Sequence, residues 1–210
     1  DPGSRPRLTA ASFLDRTQER EITWEAEIFI DATYEGDLID LAGVSYQVGR
    51  ESRDTYGESY APENGDSHVQ AYNFRITLTD DPDNRLPIPK PENYDREAYT
   101  ALFDYIQTGA VSKRDDIIRF RYIPNDKADV NDKQGSPISI KLVNETDEWP
   151  EASYERRREL YQQFKTQAAG MLWFLQNDPE VPSFLKDSVK DWGLPVDEYP
   201  DNNHWSPALY

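Results

Sequence analysis

Apolar positions along this chain fall into three patterns, and each predicts a different element. The first is the continuous run Ile28, Phe29 and Ile30. A short β-favouring run bounded by polar turn residues predicts a buried strand over residues 27–32. Residues 31–37 supply turn chemistry around Gly36, and Leu38, Ile39, Leu41 and Ala42 then return at helical spacing until Gly43 ends the helix. The second pattern is alternation. Tyr72, Phe74, Ile76 and Leu78 alternate with Ala71, Asn73, Arg75 and Thr77, which predicts a strand over 69–79 with one apolar face. Residues 7–13 and 20–27 read as two weaker strands around the polar turn 15–19, a small antiparallel excursion. Residues 117–123 read as a further strand, and 124–137 as a polar loop.

The third pattern is the helical stripe. Asp95 is placed to cap a helix reaching about Thr108, with Tyr99, Leu102, Phe103 and Ile106 on one face. From Pro150, at a first helical position, residues 154, 157, 161, 164, 168, 171, 172 and 175 trace the longest stripe, which Asn177, Asp178 and Pro179 end. A short helix from Pro182 to about Trp192 stops at Gly193. Pro82, Pro87, Pro89 and Pro91 make residues 80–91 an extended or turning connection. No internal repeat is present. These elements predict a mixed fold, α/β to α+β, with one long helix.

In open α/β sheets ligands sit at the carboxyl ends of the strands, which marks the strand, turn and helix over 27–44 as a ligand-binding shape. A helix starting near Asp37 directs N–H groups and a positive dipole end toward a phosphate or a polar cofactor edge. Asp37 can cap that helix, bond a ribose or ribityl hydroxyl, or fill the anion's place, and an ordinary strand-to-helix connection remains open. The chain holds no GxGxxG and no GxxxxGK[ST].

Charge narrows the classes of function. The 23 basic and 40 acidic residues leave a net charge of −17, spread along the 210 residues. Such a surface repels nucleic acid and anionic lipid and favours solubility. No apolar run approaches the about 18 residues of a membrane span. Zero cysteines remove disulfides and thiolate metal sites, and leave both cytoplasm and periplasm open. His68 and His204 have no partner at zinc spacing, so no metal site is expected, and the acids over 126–132 lack the calcium-loop pattern. No GxSxG elbow is present. The carboxylates Glu35 and Asp37, Asp197 and Glu198, and Glu51, Asp54 and Glu58 admit a glycosidase reading, but 40 acids make such pairs expected by chance. Trp149, Trp173, Trp192 and Trp205 admit core packing or sugar stacking. The sequon Asn144-Glu145-Thr146 is too short to decide anything. A start at Asp1, with the only methionine at 171, suggests a cut from a longer protein, although maturation gives the same terminus.

Taken in order, FIDATYEGDL (29–38), AGVSYQVGRESRDTYGES (42–59), NFRITLT (73–79), WPEA (149–152), GMLWFLQNDPEVP (170–182) and WGLPVDEYPDNNHWSPALY (192–210) resemble the bacterial FAD-dependent oxidoreductase family of the glutathione-reductase-like superfold. The resemblance spans nearly the whole chain. It implies an internal fragment, with the family's GxGxxG before Asp1 and an arginine-rich motif after Tyr210. It also implies a partial FAD-binding Rossmann-like sheet over 1–48 and an incomplete substrate or cap domain over 49–210. Asp31, Ala32, Thr33, Glu35, Gly36 and Asp37 match the family's second cofactor-facing motif, with Tyr34 where the general motif has glycine. Arg50, Glu51, Arg53, Asn73 and Arg75 fall on the expected substrate side, where arginines clamp carboxylates and Tyr56 or Glu58 moves a proton. A structural ion network joining Arg50 and Arg53 to Glu51, Asp54 or Glu58 is the competing reading. The implied activity is hydride transfer between FAD and a small organic substrate, with the isolated chain expected to bind FAD weakly or not at all. The alternative is a noncatalytic carbohydrate-binding or interaction domain. Oligomeric state and electron acceptor stay open.

Overall fold

The weak alternation near the start of the chain folds into a hairpin, β1 (Ala10–Asp15) pairing antiparallel with β2 (Arg20–Glu25). Across it Ser12 and Thr23 share a hydroxyl hydrogen bond of 2.7 Å. The computed structural model describes residues 7–15, 18–142 and 146–210, so Asn144 and Glu145 of the sequon lie outside the described residues. It divides the chain into two compact units, Asp1–Val48 and Gly49–Tyr210.

Within the first unit the apolar run departs from its predicted state. Residues 27–32 form no strand among the described residues, and Ile28 and Ile30 are 80% and 86% exposed. A run apolar on both faces becomes a buried strand only when neighbouring strands and covering helices are supplied. Here β1 and β2 pair with each other. The turn and helix do form. Gly36, at φ 74°, precedes α1 (Asp37–Leu41), and Gly43, at φ 67°, follows it. The Val44 N–H returns to the Ile39 carbonyl at 3.1 Å, a closure that needs the left-handed backbone glycine adopts without strain.

The second unit is built on a three-stranded antiparallel sheet. Its strands are β3 (Ile76–Thr79), β5 (Ile118–Ile123) and β6 (Lys127–Asp132), in the order β3-β6-β5. The predicted alternation holds beyond β3, with Tyr72, Phe74, Ile76 and Leu78 all buried. Two main-chain bonds between Asn73 and Tyr210, 2.9 and 2.8 Å, extend its paired edge.

The polar loop predicted over 124–137 is instead a tight turn followed by the central strand. Asn125 and Asp126 take φ 68° and 53°, a backbone that Asn and Asp tolerate and hairpins require. Beyond them Ala128 and Val130 point into the core while Asp129 and Asn131 take the other face, so a central strand reads as polar. Lys127 is buried and held by Asp197 at 2.8 Å and Glu198 at 2.6 Å.

Within the proline-rich connection, β4 (Arg85–Leu86) pairs with β7 (Leu194–Pro195), and Thr79 exchanges two 2.9 Å main-chain bonds with Gly193. The Asp95 carboxylate accepts the Glu97 N–H at 2.9 Å and opens a short 3-10 turn that runs into α3 (Thr100–Gln107). The long helix α4 (Tyr154–Asn177) starts four residues after Pro150, because Ser153 supplies the cap by accepting the Arg156 N–H at 3.2 Å. Pro150 lies in a separate 3-10 turn, Trp149–Glu151. The last helix, α5 (Ser183–Asp187), is shorter than predicted.

The buried face of α4 meets the apolar face of the sheet. Phe74 lies between Tyr161, Phe164 and Trp205 at ring separations of 5.3, 6.4 and 5.7 Å, all edge-on. Trp149 packs on Tyr72 and Trp192 on Phe120. Trp149, Trp192 and Trp205 are buried, so these rings build core and offer no stacking face. The architecture is mixed α/β, small sheets with one long helix, consistent with a partial Rossmann-like FAD-binding fold. Among the described residues no helix is long and apolar enough to cross a membrane, and no group of three or more acidic or histidine side chains is placed to hold a metal ion.

Candidate functional site

The turn before α1 is built by Asp31. One carboxylate oxygen accepts the Thr33 hydroxyl at 2.7 Å and the Thr33 N–H at 2.9 Å, while the other accepts the Ile39 N–H at 3.2 Å across the turn. Thr33 Oγ1 then accepts the Gly36 N–H at 3.0 Å. These bonds, Thr33's first, hold the Asp31 carboxyl below the usual carboxylate range. Asp31 therefore occupies the anion position at the start of α1. A five-residue helix whose Leu38 and Ile39 N–H groups are already engaged by Asp31 is a poor phosphate site. What the turn offers is a fixed backbone of small residues, Ala32, Thr33 and Gly36, flanked by Glu35 and Asp37. With the Thr33 and Gly36 N–H groups bonded inside the turn, that surface fits close packing against the uncharged edge of a flat cofactor and does not fit a pyrophosphate.

In the second unit Arg50 and Asp66 form a bridge, with main-chain bonds of 2.9 and 3.0 Å and a two-pronged ion pair whose Nε bond is 2.9 Å. Arg50's hydrogen bonds hold the Asp66 carboxyl down to about 2. Gly49 permits the close approach, since its φ is 101° and a Cβ there would stand 2.3 Å from the Asp66 carbonyl. Asp66 also accepts the His68 N–H at 3.0 Å, and His68 Nδ1 lies 2.6 Å from Asp147. Arg53 opens the single-turn helix α2 (Arg53–Tyr56) and donates to the Ala61 carbonyl at 3.3 Å. Arg50 thus forms an internal ion pair with Asp66 in place of Glu51, Asp54 or Glu58, while Arg53 bonds a carbonyl. Tyr56 and Glu58 are exposed and Glu51 half-buried.

Asn73 and Arg75 stand on the outer face of the sheet. Arg75 grips Asp129 with two bonds, Nε at 2.9 Å, and its guanidinium lies 5.3 Å from the Tyr210 ring centre. Asn73 Nδ2 donates to Asn131 Oδ1 at 2.6 Å. Asn131 Oδ1 also accepts the Asp132 N–H at 2.7 Å, which fixes both amides' orientations. The structure brings Asn73 and Arg75 together on one face, whereas no hydrogen bond or ion pair among the described residues joins them to Arg50 or Arg53. Sequence reasoning missed Asp129, Asn131, Arg119 and Arg121, which share this face. The alternations Arg119-Phe120-Arg121 and Asp129-Val130-Asn131 were the available signal. Away from the sheet, an open groove of about 480 Å³ beside α4 is lined by Asn93, Tyr94, Gln162, Gln163 and Gln167 and contains none of the predicted site residues.

Of the carboxylate pairs admitted for sugar hydrolysis, Asp197 and Glu198 are engaged by Lys127. No curated protein and no solved structure matches this chain. A family model described as FAD dependent oxidoreductase matches residues 3–210. With that match covering nearly the full length, the chain belongs to the FAD-dependent oxidoreductase family, whose cofactor is FAD.

Proposed function

We propose that this chain forms part of a flavin enzyme that moves a hydride between FAD and a small organic substrate, with residues 1–48 on the cofactor side and 49–210 on the substrate side. The observation that carries the reading is the turn locked by Asp31, lying within the family match. Bound FAD supplies a ring that accepts or returns two electrons and a proton.

Asp31 holds the turn in one conformation, so that Ala32, Thr33 and Gly36 present backbone to a cofactor edge and Glu35 and Asp37 border it. Arg50 and Arg75, each gripping an internal carboxylate, position the surrounding backbone and lend positive charge. Arg53, Glu51 and Asn73 complete the proposed substrate side, and Tyr56 or Glu58 holds the proton that accompanies hydride movement.

Replacing Asp31 with alanine is expected to lower FAD affinity about tenfold by loosening the turn, with Thr33→Val showing a smaller loss. Fluorescence titration with FAD of the enzyme that contains this chain, beside circular dichroism to confirm folding, measures it. Unchanged affinity in a folded Asp31→Ala protein would remove the turn from the cofactor site.

A further inference from the structure

Six of the eleven arginines in the second unit hold an acid, and Arg53 and Arg157 donate to main-chain carbonyls. Arg50, Arg75, Arg85, Arg96, Arg114 and Arg156 each pair with a carboxylate. That is expected in a chain with 40 acids and 23 bases. On the sheet, Arg75 holds an acid, whereas Arg119 and Arg121 do not. Neither side chain makes a hydrogen bond or an ion pair with any described residue, and the Nε of Arg119 is buried with no partner. Both lie on β5 and alternate with the buried Ile118 and Phe120, so both project from the sheet's outer face, about 7 Å apart along the strand.

The neighbours accentuate the contrast. Asp129 sits directly across from Arg121 on β6, yet its carboxylate is taken by Arg75 from the other side. Asn131, directly across from Arg119, has its oxygen engaged by Asn73 and the Asp132 N–H. The two acceptors best placed to neutralise this pair are therefore both turned away from it. With Arg75 the outer face carries three guanidiniums beside Asp129, and the other two acids here, Asp197 and Glu198, are held by Lys127, which leaves Arg119 and Arg121 without a paired acid. Guanidinium forks match planar carboxylates two bonds at a time.

We propose that Arg119 and Arg121 form the anion-recognition site for an organic carboxylate, the substrate class of the enzyme. The assignment rests on the flavin oxidoreductase reading for the word substrate, but the site itself needs no flavin to be detected. Asp129 and Asn131 are positioning residues, since they keep Arg75 and Asn73 occupied and leave the β5 pair available.

The test is an NMR titration of the flavin-free chain with succinate, following the arginine Nε–H signals at about 0.15 M salt, where long-range surface attraction is screened. Succinamide serves as the neutral probe and inorganic phosphate as the tetrahedral one. Succinate is expected to shift the Arg119 and Arg121 signals saturably, succinamide to leave them unmoved and phosphate to bind no more tightly than succinate. R119Q/R121Q is expected to weaken succinate binding at least about tenfold. R121Q, at an exposed position, gives an intermediate loss should the double variant misfold. No saturable shift, equal response to succinamide, tighter binding of phosphate, or unchanged affinity in folded R121Q and R119Q/R121Q would each overturn the proposal. Because FAD is not in the assay, any of these leaves the cofactor reading untouched.

Discussion

Phe74→Ala is expected to destabilise the second unit by about 3–5 kcal/mol, because the truncation empties the centre of its aromatic core. The ring is fully buried and forms the meeting point of three others, Tyr161 and Phe164 from α4 and Trp205 from the C-terminal segment. Truncation forfeits the transfer energy of the ring and leaves a cavity, because α4 and the sheet are fixed by many other contacts and cannot close onto the gap. Each lost edge-on pair adds about 0.5–1.5 kcal/mol beyond area. A domain's whole stability is only about 5–15 kcal/mol. The variant therefore sits near its unfolding threshold, and Asn73 and Arg75 on either side of Phe74 lose their fixed positions. Urea unfolding followed by tryptophan fluorescence gives the number. A loss below about 1 kcal/mol would mean the aromatic cluster is not the core's centre.

Gly193→Ala should cost about 3 kcal/mol or more, although it adds only one methyl group. A Cβ at Gly193 would stand 2.1 Å from the Leu86 carbonyl oxygen and 2.6 Å from Arg85 Cγ. The first obstacle is backbone and is itself paired to β7, so it cannot swing aside as a side chain can. Relief requires separating β4 from β7 or breaking the two Thr79–Gly193 bonds that tie this pair to β3. The contrast is Gly170 in α4, where the atom nearest an added Cβ is the hydroxyl of Tyr99, the end of a side chain. For a domain of this size about 3 kcal/mol corresponds to a fall in Tm of about 6–12 °C. Calorimetry showing a shift under about 2 °C would contradict the close approach.

Where local pattern and tertiary setting agree, the fold was legible. Alternation over 72–79 and the stripe along α4 predict the faces that meet in the core, because a period of two or of 3.6 is itself the signature of one-sided burial. The run at 28–30 misleads for the opposite reason. Its state depends on what pairs with it and covers it, which periodicity does not encode. The central strand β6 was hidden because half its side chains pair with neighbours instead of lying in apolar surroundings, and because Lys127 is buried through two carboxylates 70 and 71 residues away in sequence. The site was partly legible. Asn73 and Arg75 were named from placement, but that Arg50 and Arg75 each hold an internal acid, and that Arg119 and Arg121 do not, depends on contacts between distant segments. Asp31 reaches α1 because the turn folds back far enough to bring its carboxylate onto the Ile39 N–H.

The most direct test of the cofactor assignment is hydrogen–deuterium exchange on the flavin enzyme of which this chain forms part, loaded with FAD and stripped of it. The turn is expected to gain protection over residues 31–37, where its backbone would meet a flavin edge. Protection acquired elsewhere, with residues 31–37 exchanging at the same rate in both forms, would contradict the assignment.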